Sequence, residues 1–108
     1  MKSMVELGFM NFNESVWKML EKIPSGRVTT YKFLAIALGK PNAARAVGNA
    51  CKANPFPVKV PCHRVVKSDG SIGGYSRGER AKIRLLRKEG IRVKNTKILD
   101  FDDKLFDF

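Results

Sequence analysis

The sequence predicts a mainly α domain, a winged helix-turn-helix with a small β-hairpin wing, on three observations. Apolar residues recur at helical spacing in two short runs, Val16 to Ile23 and Tyr31 to Leu38. The second run is parted from a small-residue helix by a turn around Gly39 and Pro41, as in a helix-turn-helix. Farther on, Lys67-Ser68-Asp69-Gly70-Ser71 stands between Val65-Val66 and Ile72 and reads as the turn of a hairpin that serves as the wing.

Each element has its own signal. After an N-terminal arm, residues 1–12, Asn13 offers the N-cap of a first helix in which Val16, Trp17, Leu20 and Ile23 share a face until Pro24-Ser25-Gly26 stops it. Thr29 or Thr30 caps a second helix with Tyr31, Leu34, Ala35 and Leu38 on one side and Gly39 at its end. Pro41 opens a third, Asn42 to Ala53, built from small side chains with Arg45 as the long cation near its start. Pro55, Pro57 and Pro61 then forbid a regular helix, and Phe56, Val58 and Val60 alternate like an extended segment. The wing and a tight Gly73-Gly74-Tyr75-Ser76 loop follow. A last helix, Arg77 to Glu89, turns Ile83, Leu86 and Ala81 inward and Arg80, Arg84, Arg87 and Lys88 outward before Gly90 ends it. The reading gives one domain over residues 13–97 and an acidic, aromatic tail over 98–108, whose Phe101, Leu105, Phe106 and Phe108 either cover exposed core or leave the tail disordered.

Charge narrows the partners. The 108 residues hold 21 Lys and Arg against 10 Asp and Glu, a net charge of +11. Of these, 20 basic and 6 acidic side chains precede residue 98, so the body is more basic than the total. Such a small domain attracts polyanions, of which nucleic acid is the commonest. The longest apolar stretch, Phe33 to Leu38, is too short to span a membrane, and Glu6, Asn11, Asn13 and Glu14 interrupt the N-terminus against a signal peptide. An intracellular protein, in the cytoplasm or with the nucleoid or nucleus, is expected. Cys51 and Cys62 with the single His63 make neither a disulfide framework nor a zinc site.

The chemically informative stretch is Pro61-Cys62-His63-Arg64-Val65-Val66. A proline-fixed backbone at a pocket edge can hold a thiol outward while water relays its proton to an imidazole. Arg64 and the basic body favour the thiolate. Taken alone, a Cys-His pair is more often structural than catalytic.

In its context the pair resembles the active domain of the O6-alkylguanine-DNA alkyltransferases, single-use DNA repair proteins. The likeness runs from about Asn13 to Gly90. It rests on Val16-Trp17, Thr30-Tyr31-Lys32-Phe33-Leu34-Ala35, Ala44-Arg45-Ala46-Val47-Gly48-Asn49-Ala50, Asn54-Pro55, Pro61 to Val66, Gly73-Gly74-Tyr75-Ser76 and Glu89-Gly90. The order and spacing of these motifs together are specific.

The resemblance implies a monomer that binds duplex DNA through the minor groove, flips out O6-alkylguanine and accepts its alkyl group on Cys62, without cofactor or metal. By the same resemblance His63 acts as a water-mediated base, Glu89 holds its tautomer, and Asn54 braces the loop carrying Cys62. Tyr31 helps rotate the nucleotide and donates toward the guanine ring. Arg45 fills the place of the flipped base, while Ala44, Ala46, Gly48 and Asn49 give the helix a slim, groove-fitting face. Val65, Tyr75 and Ser76 form the base pocket. Fuller family members carry a further N-terminal domain. A related class of alkyltransferase-like proteins binds the lesion without repairing it and replaces the nucleophilic cysteine; Cys62 argues against that class. A plain winged-helix regulator would leave Pro61-Cys62-His63-Arg64 and Gly74-Tyr75-Ser76 unexplained.

Overall fold

The structure, a computed structural model, describes residues 10–108; most of the expected N-terminal arm, residues 1–12, lies outside the described residues. Helix α1 spans Phe12–Leu20, β1 Thr29–Thr30, α2 Tyr31–Ala37 and α3 Ala44–Lys52. A 3₁₀ turn, Cys62–Arg64, leads into β2, Val65–Val66. Helix α4 spans Glu79–Lys88, strands β3 and β4 are Val93–Lys94 and Lys97–Ile98, and α5 is Phe101–Lys104. The molecule is thus mainly helical with two small sheets.

Helix starts follow side-chain chemistry. The first N-cap is Asn11, not Asn13: its side chain accepts from Glu14 N at 2.8 Å while Glu14 Oε1 accepts from Asn11 N at 3.1 Å. This reciprocal capping box needs an acid three residues after the cap, which Asn11 has and Asn13, followed by Val16, lacks. Thr30 caps α2 by accepting from Phe33 N at 2.9 Å. Helix α3 begins at Ala44 rather than Asn42, because Pro41 and Asn42 are spent in a turn closed by Ala43 N and Lys40 O.

Two apolar clusters flank the β1–β2 pair. Val16, Leu20, Ile23, Leu34, Ala35, Val47 and Ala50 from the first three helices form one, with Val60, Cys62 and Val65. Val28, Val66, Ile72, Leu86, Ile91, Val93 and Ile98 form the other. Successive strand residues face opposite ways, so Val65 joins the first cluster and Val66 the second. The pair is parallel, Thr29 opposite Val65 and Thr30 opposite Val66, and α2 and α3 lie in the crossover that a parallel pair requires. Trp17 Nε1 donates to Ala50 O at 2.8 Å and ties α1 to α3.

The expected hairpin between Val65-Val66 and Ile72 is not formed. The turn itself is present, with Gly70 N donating to Lys67 O and Lys67 N to Ser71 O. Both valines, however, are fully enclosed and pair with β1, and Ile72 N donates to Thr96 O instead. Burial on both sides draws the valines into the interior, and among the described residues the antiparallel strand pair is β3–β4. The last residues are docked on the body. Val28 N donates to Lys104 O, Phe106 N donates to Val28 O, and Phe106 and Phe101 pack on the first and second clusters.

Candidate active site and nucleic-acid interface

A pocket of about 630 Å³ opens beside α3, lined among others by Tyr31, Ala44, Arg45, Gly48, Asn49, Cys62, Tyr75 and Ser76. Eight of the sequence-predicted residues, from four separate segments, therefore meet on one cavity. Cys62 lies on its wall, 3% exposed, at the start of the 3₁₀ turn. Asn54, on the loop after α3, donates from Nδ2 to Val60 O at 2.8 Å and to Cys62 Sγ at 3.3 Å, and accepts from Phe56 N at 2.9 Å. It fixes both ends of the proline-rich segment and touches the sulfur.

His63, next in the chain to Cys62, is fully buried, its Nε2 2.9 Å from Glu89 Oε2. Its Nδ1 is buried with no hydrogen-bond partner among the described residues. Burial lowers the His63 pKa below 6.5, with Glu89 pulling the other way, so the ring is neutral at neutral pH. Burial pushes the Glu89 carboxyl up, but hydrogen bonds from Arg64 and His63 outweigh it and hold the pKa below its usual value.

Glu89 owes its place to the end of α4. Gly90, at φ +89°, takes the left-handed conformation, so that Ile91 N donates to Leu86 O and Gly90 N to Arg87 O. This closure ends the helix at Glu89. Arg64 is engaged there as well: its Nη2 donates to Glu89 Oε2 at 2.7 Å and its Nη1 to Ile23 O at 2.7 Å. Arg64, expected with the basic body to favour the thiolate, is ion-paired with Glu89.

The cation that the sequence did not single out is Lys82. It is fully buried in α4 and donates from Nζ to Val65 O at 2.7 Å and to Gly74 O at 3.0 Å. Nζ also lies 5.9 Å from the centroid of the Tyr31 ring, within cation–π range. Burial brings its pKa down to about 8, against the pull of the Cys51 and Cys62 sulfurs. Its one legible signal is phase, since Lys82 precedes the inward Leu86 by four residues. Lys82 explains why Val65 does not line the pocket: its side chain is in the core and its carbonyl is held by the amine.

Tyr31 leads from Thr30 into α2, and burial, then Cys51 and Cys62, raise its pKa, so the hydroxyl stays a proton donor. Gly73, at φ +74°, lets the loop pass close to it, for a Cβ there would stand 3.2 Å from the Tyr31 oxygen. The Tyr75 hydroxyl is buried without a partner among the described residues. Cys51 is buried and lines the pocket too, its thiol pushed up to about 12 by burial. Arg45, Lys52 and Lys67 are exposed cations around the cavity, and no motif assigns the two lysines to the site. Ala46 is exposed but off the lining. No group of three or more metal-ligating side chains occurs among the described residues.

The class of protein follows from this fold: residues 11–91 match the family model of the 6-O-methylguanine DNA methyltransferase DNA-binding domain, and the chain belongs to that family. Among individual relatives, the mouse methylated-DNA--protein-cysteine methyltransferase is 52% identical over 77 residues, which is 70% of this chain and 36% of that protein. The chain spans between 22% and 50% of the length of the curated relatives it matches. A Mycobacterium tuberculosis OGT crystallised with DNA superposes with a TM-score of 0.72 at 44% identity, over 74% of this chain and 50% of that one. S. pombe Atl1, in complex with damaged DNA containing O6-carboxymethylguanine, superposes with a TM-score of 0.77 at 30% identity, over 92% of this chain and all of that one.

Proposed function

We propose that this chain repairs DNA directly, by moving the alkyl group of O6-alkylguanine onto Cys62 in a single turnover. The observation that carries the reading is the placement of Cys62 on the pocket wall, next in the chain to a buried, neutral His63 whose Nε2 is bonded to Glu89. In the reaction the Cys62 proton passes through water to His63 Nδ1, the nitrogen without a protein partner, and Glu89 stabilises the resulting imidazolium. The Cys62 Sγ–carbon bond forms as the carbon–O6 bond breaks. The electron pair goes to guanine, which takes its proton from the Tyr31 hydroxyl; Tyr31 regains a proton from water as His63 gives up the one it took from Cys62. The product is a thioether that nothing in the site reverses, so each molecule works once without cofactor or metal.

In this reading α2 and α3 are the two helices of a helix-turn-helix, with α3 in the minor groove of duplex DNA. Ala44, Ala46 and Gly48 keep its face slim, Arg45 fills the gap left by the flipped base, and Asn49, Lys52 and Lys67 meet the backbone. Tyr75 and Ser76, with Gly74 held by Lys82, wall the extruded base. One copy of the chain suffices, in whichever compartment holds the DNA.

A second reading, a lesion-binding protein without transfer, is favoured by the full-length match to Atl1. Intact mass after incubation with a duplex containing O6-methylguanine separates the two. One added methyl group on Cys62, and none in Cys62→Ala, is expected. Tight lesion binding with no mass gain would establish the second reading, and a methyl group on another residue would overturn the nucleophile.

A further inference from the structure

We propose that the outer face of α4 is a second nucleic-acid contact, taking the phosphate backbone of a duplex segment other than the one held at the pocket. The inference rests on reading the pocket as a DNA site. Arg80, Arg84 and Arg87 line a depression of about 350 Å³ floored by Ile83, and no acidic side chain lines it. Among the described residues Arg80 and Arg84 are in no ion pair. Arg87 donates from Nη2 to Val93 O at 2.8 Å, which holds its guanidinium in the row without neutralising it.

Like charges at these spacings destabilise a helix: Arg80 and Arg84 stand four apart, Arg84 and Arg87 three, Arg84 and Lys88 four. A helix built this way is stabilised by an external anion. Guanidinium forks match phosphate oxygens bidentately. From Arg80 to Arg87 the helix rises about 10 Å, some three nucleotide steps along one strand.

The face is also turned away from the pocket. At about 100° per residue the three arginines fall within about 60° of arc, whereas Lys82, which reaches Gly74 on the pocket lining, stands about 160° from Arg80. A straight duplex seated at the pocket does not reach both sides of α4. The second contact therefore belongs to another duplex or a distant stretch of the same one, and it would let the protein pass between segments without first dissociating.

The test preforms a complex of the protein with a labelled short duplex of undamaged DNA and follows label release by stopped flow as unlabelled duplex increases. Direct passage makes the release rate climb linearly with competitor, and in an Arg80→Gln/Arg84→Gln variant that slope is expected to fall at least fivefold. Release at vanishing competitor and methyl transfer from lesion DNA stay within twofold, which reports that the pocket reading stands independently. The substitutions remove like-charge repulsion from an exposed surface, so the variant should melt no lower than the parent. A release rate independent of competitor in the parent, or an equal slope in the variant, overturns the proposal. A slope produced by an acidic polypeptide as competitor but not by duplex assigns the face to a protein and overturns it too.

Discussion

Lys82 is fully enclosed yet carries an amine, and this makes stability depend on pH in a direction that can be worked out. In the unfolded chain the amine holds its proton to about the ordinary 10.5, whereas in the fold burial brings the pKa down to about 8. Between those values the unfolded chain binds more protons, so stability rises with pH. From pH 7.5 to 9.5 about one and a half units lie above the folded value, which gives roughly 2 kcal/mol, or roughly 10 °C in Tm for a domain this small. Other groups titrate nearby, since burial raises Cys51 and Tyr31 and these act in the opposite direction at high pH. The measurement is therefore the difference between the parent and Lys82→Met, each followed by circular dichroism in urea across this range. The carbonyls of Val65 and Gly74 lose their donor equally at every pH, so that cost cancels from the slope. The parent should gain roughly 2 kcal/mol on the variant as pH rises. A flat or falling difference would mean that the amine is hydrated in solution and that the clamp between β2 and the Gly74 loop is not formed.

Three further outcomes are expected. His63 is the one histidine of the sequence, so NMR can titrate it alone; its midpoint should lie below 6.5 and fall further in Glu89→Gln, because Glu89 raises it, whereas a midpoint above 6.5 would contradict the burial. Gly48→Ala would place a Cβ 3.9 Å from the Tyr31 ring, an ordinary contact; the variant should gain up to about 1 kcal/mol of helix stability yet bind duplex DNA more weakly by fluorescence anisotropy, and unchanged binding would remove Gly48 from the interface. Asn54→Ala breaks bonds to Val60 O and Phe56 N and should cost about 2 kcal/mol while speeding tryptic cleavage after Lys59; parental cleavage kinetics would mean that the loop is braced elsewhere.

Periodicity made the inward faces legible, because burial repeats with the helix: Val16, Leu20, Leu34, Ala35 and Leu86 are enclosed as their spacing required. The resemblance carried by the motifs implied roles for Cys62, Tyr31, Arg45 and Tyr75 around one flipped base, and these four side chains line one cavity. Interactions remote in sequence were not legible. Nothing local tells Val65-Val66 to pair with Thr29-Thr30 rather than fold back on Ile72, and nothing local tells Arg64 to reach Glu89, 25 residues away. Lys82 was lost among the cations of α4, since charge on a helix ordinarily marks the solvent side and only two facing carbonyls reverse that rule.

The helix end that presents Glu89 also bears on how the protein comes into being. During synthesis His63, just after Cys62, leaves the ribosome 26 residues before the carboxylate it is bonded to, and Val28 waits longer still for Lys104 and Phe106. The helices are local and form quickly, but these closures span long loops and come late. A nascent or truncated chain that ends before residue 89 therefore has its thiol and imidazole without the carboxylate that His63 is bonded to in the finished fold. On the proposed function, reactivity would arise only with the completed fold, which would spare a single-use thiol from being consumed before the protein is finished.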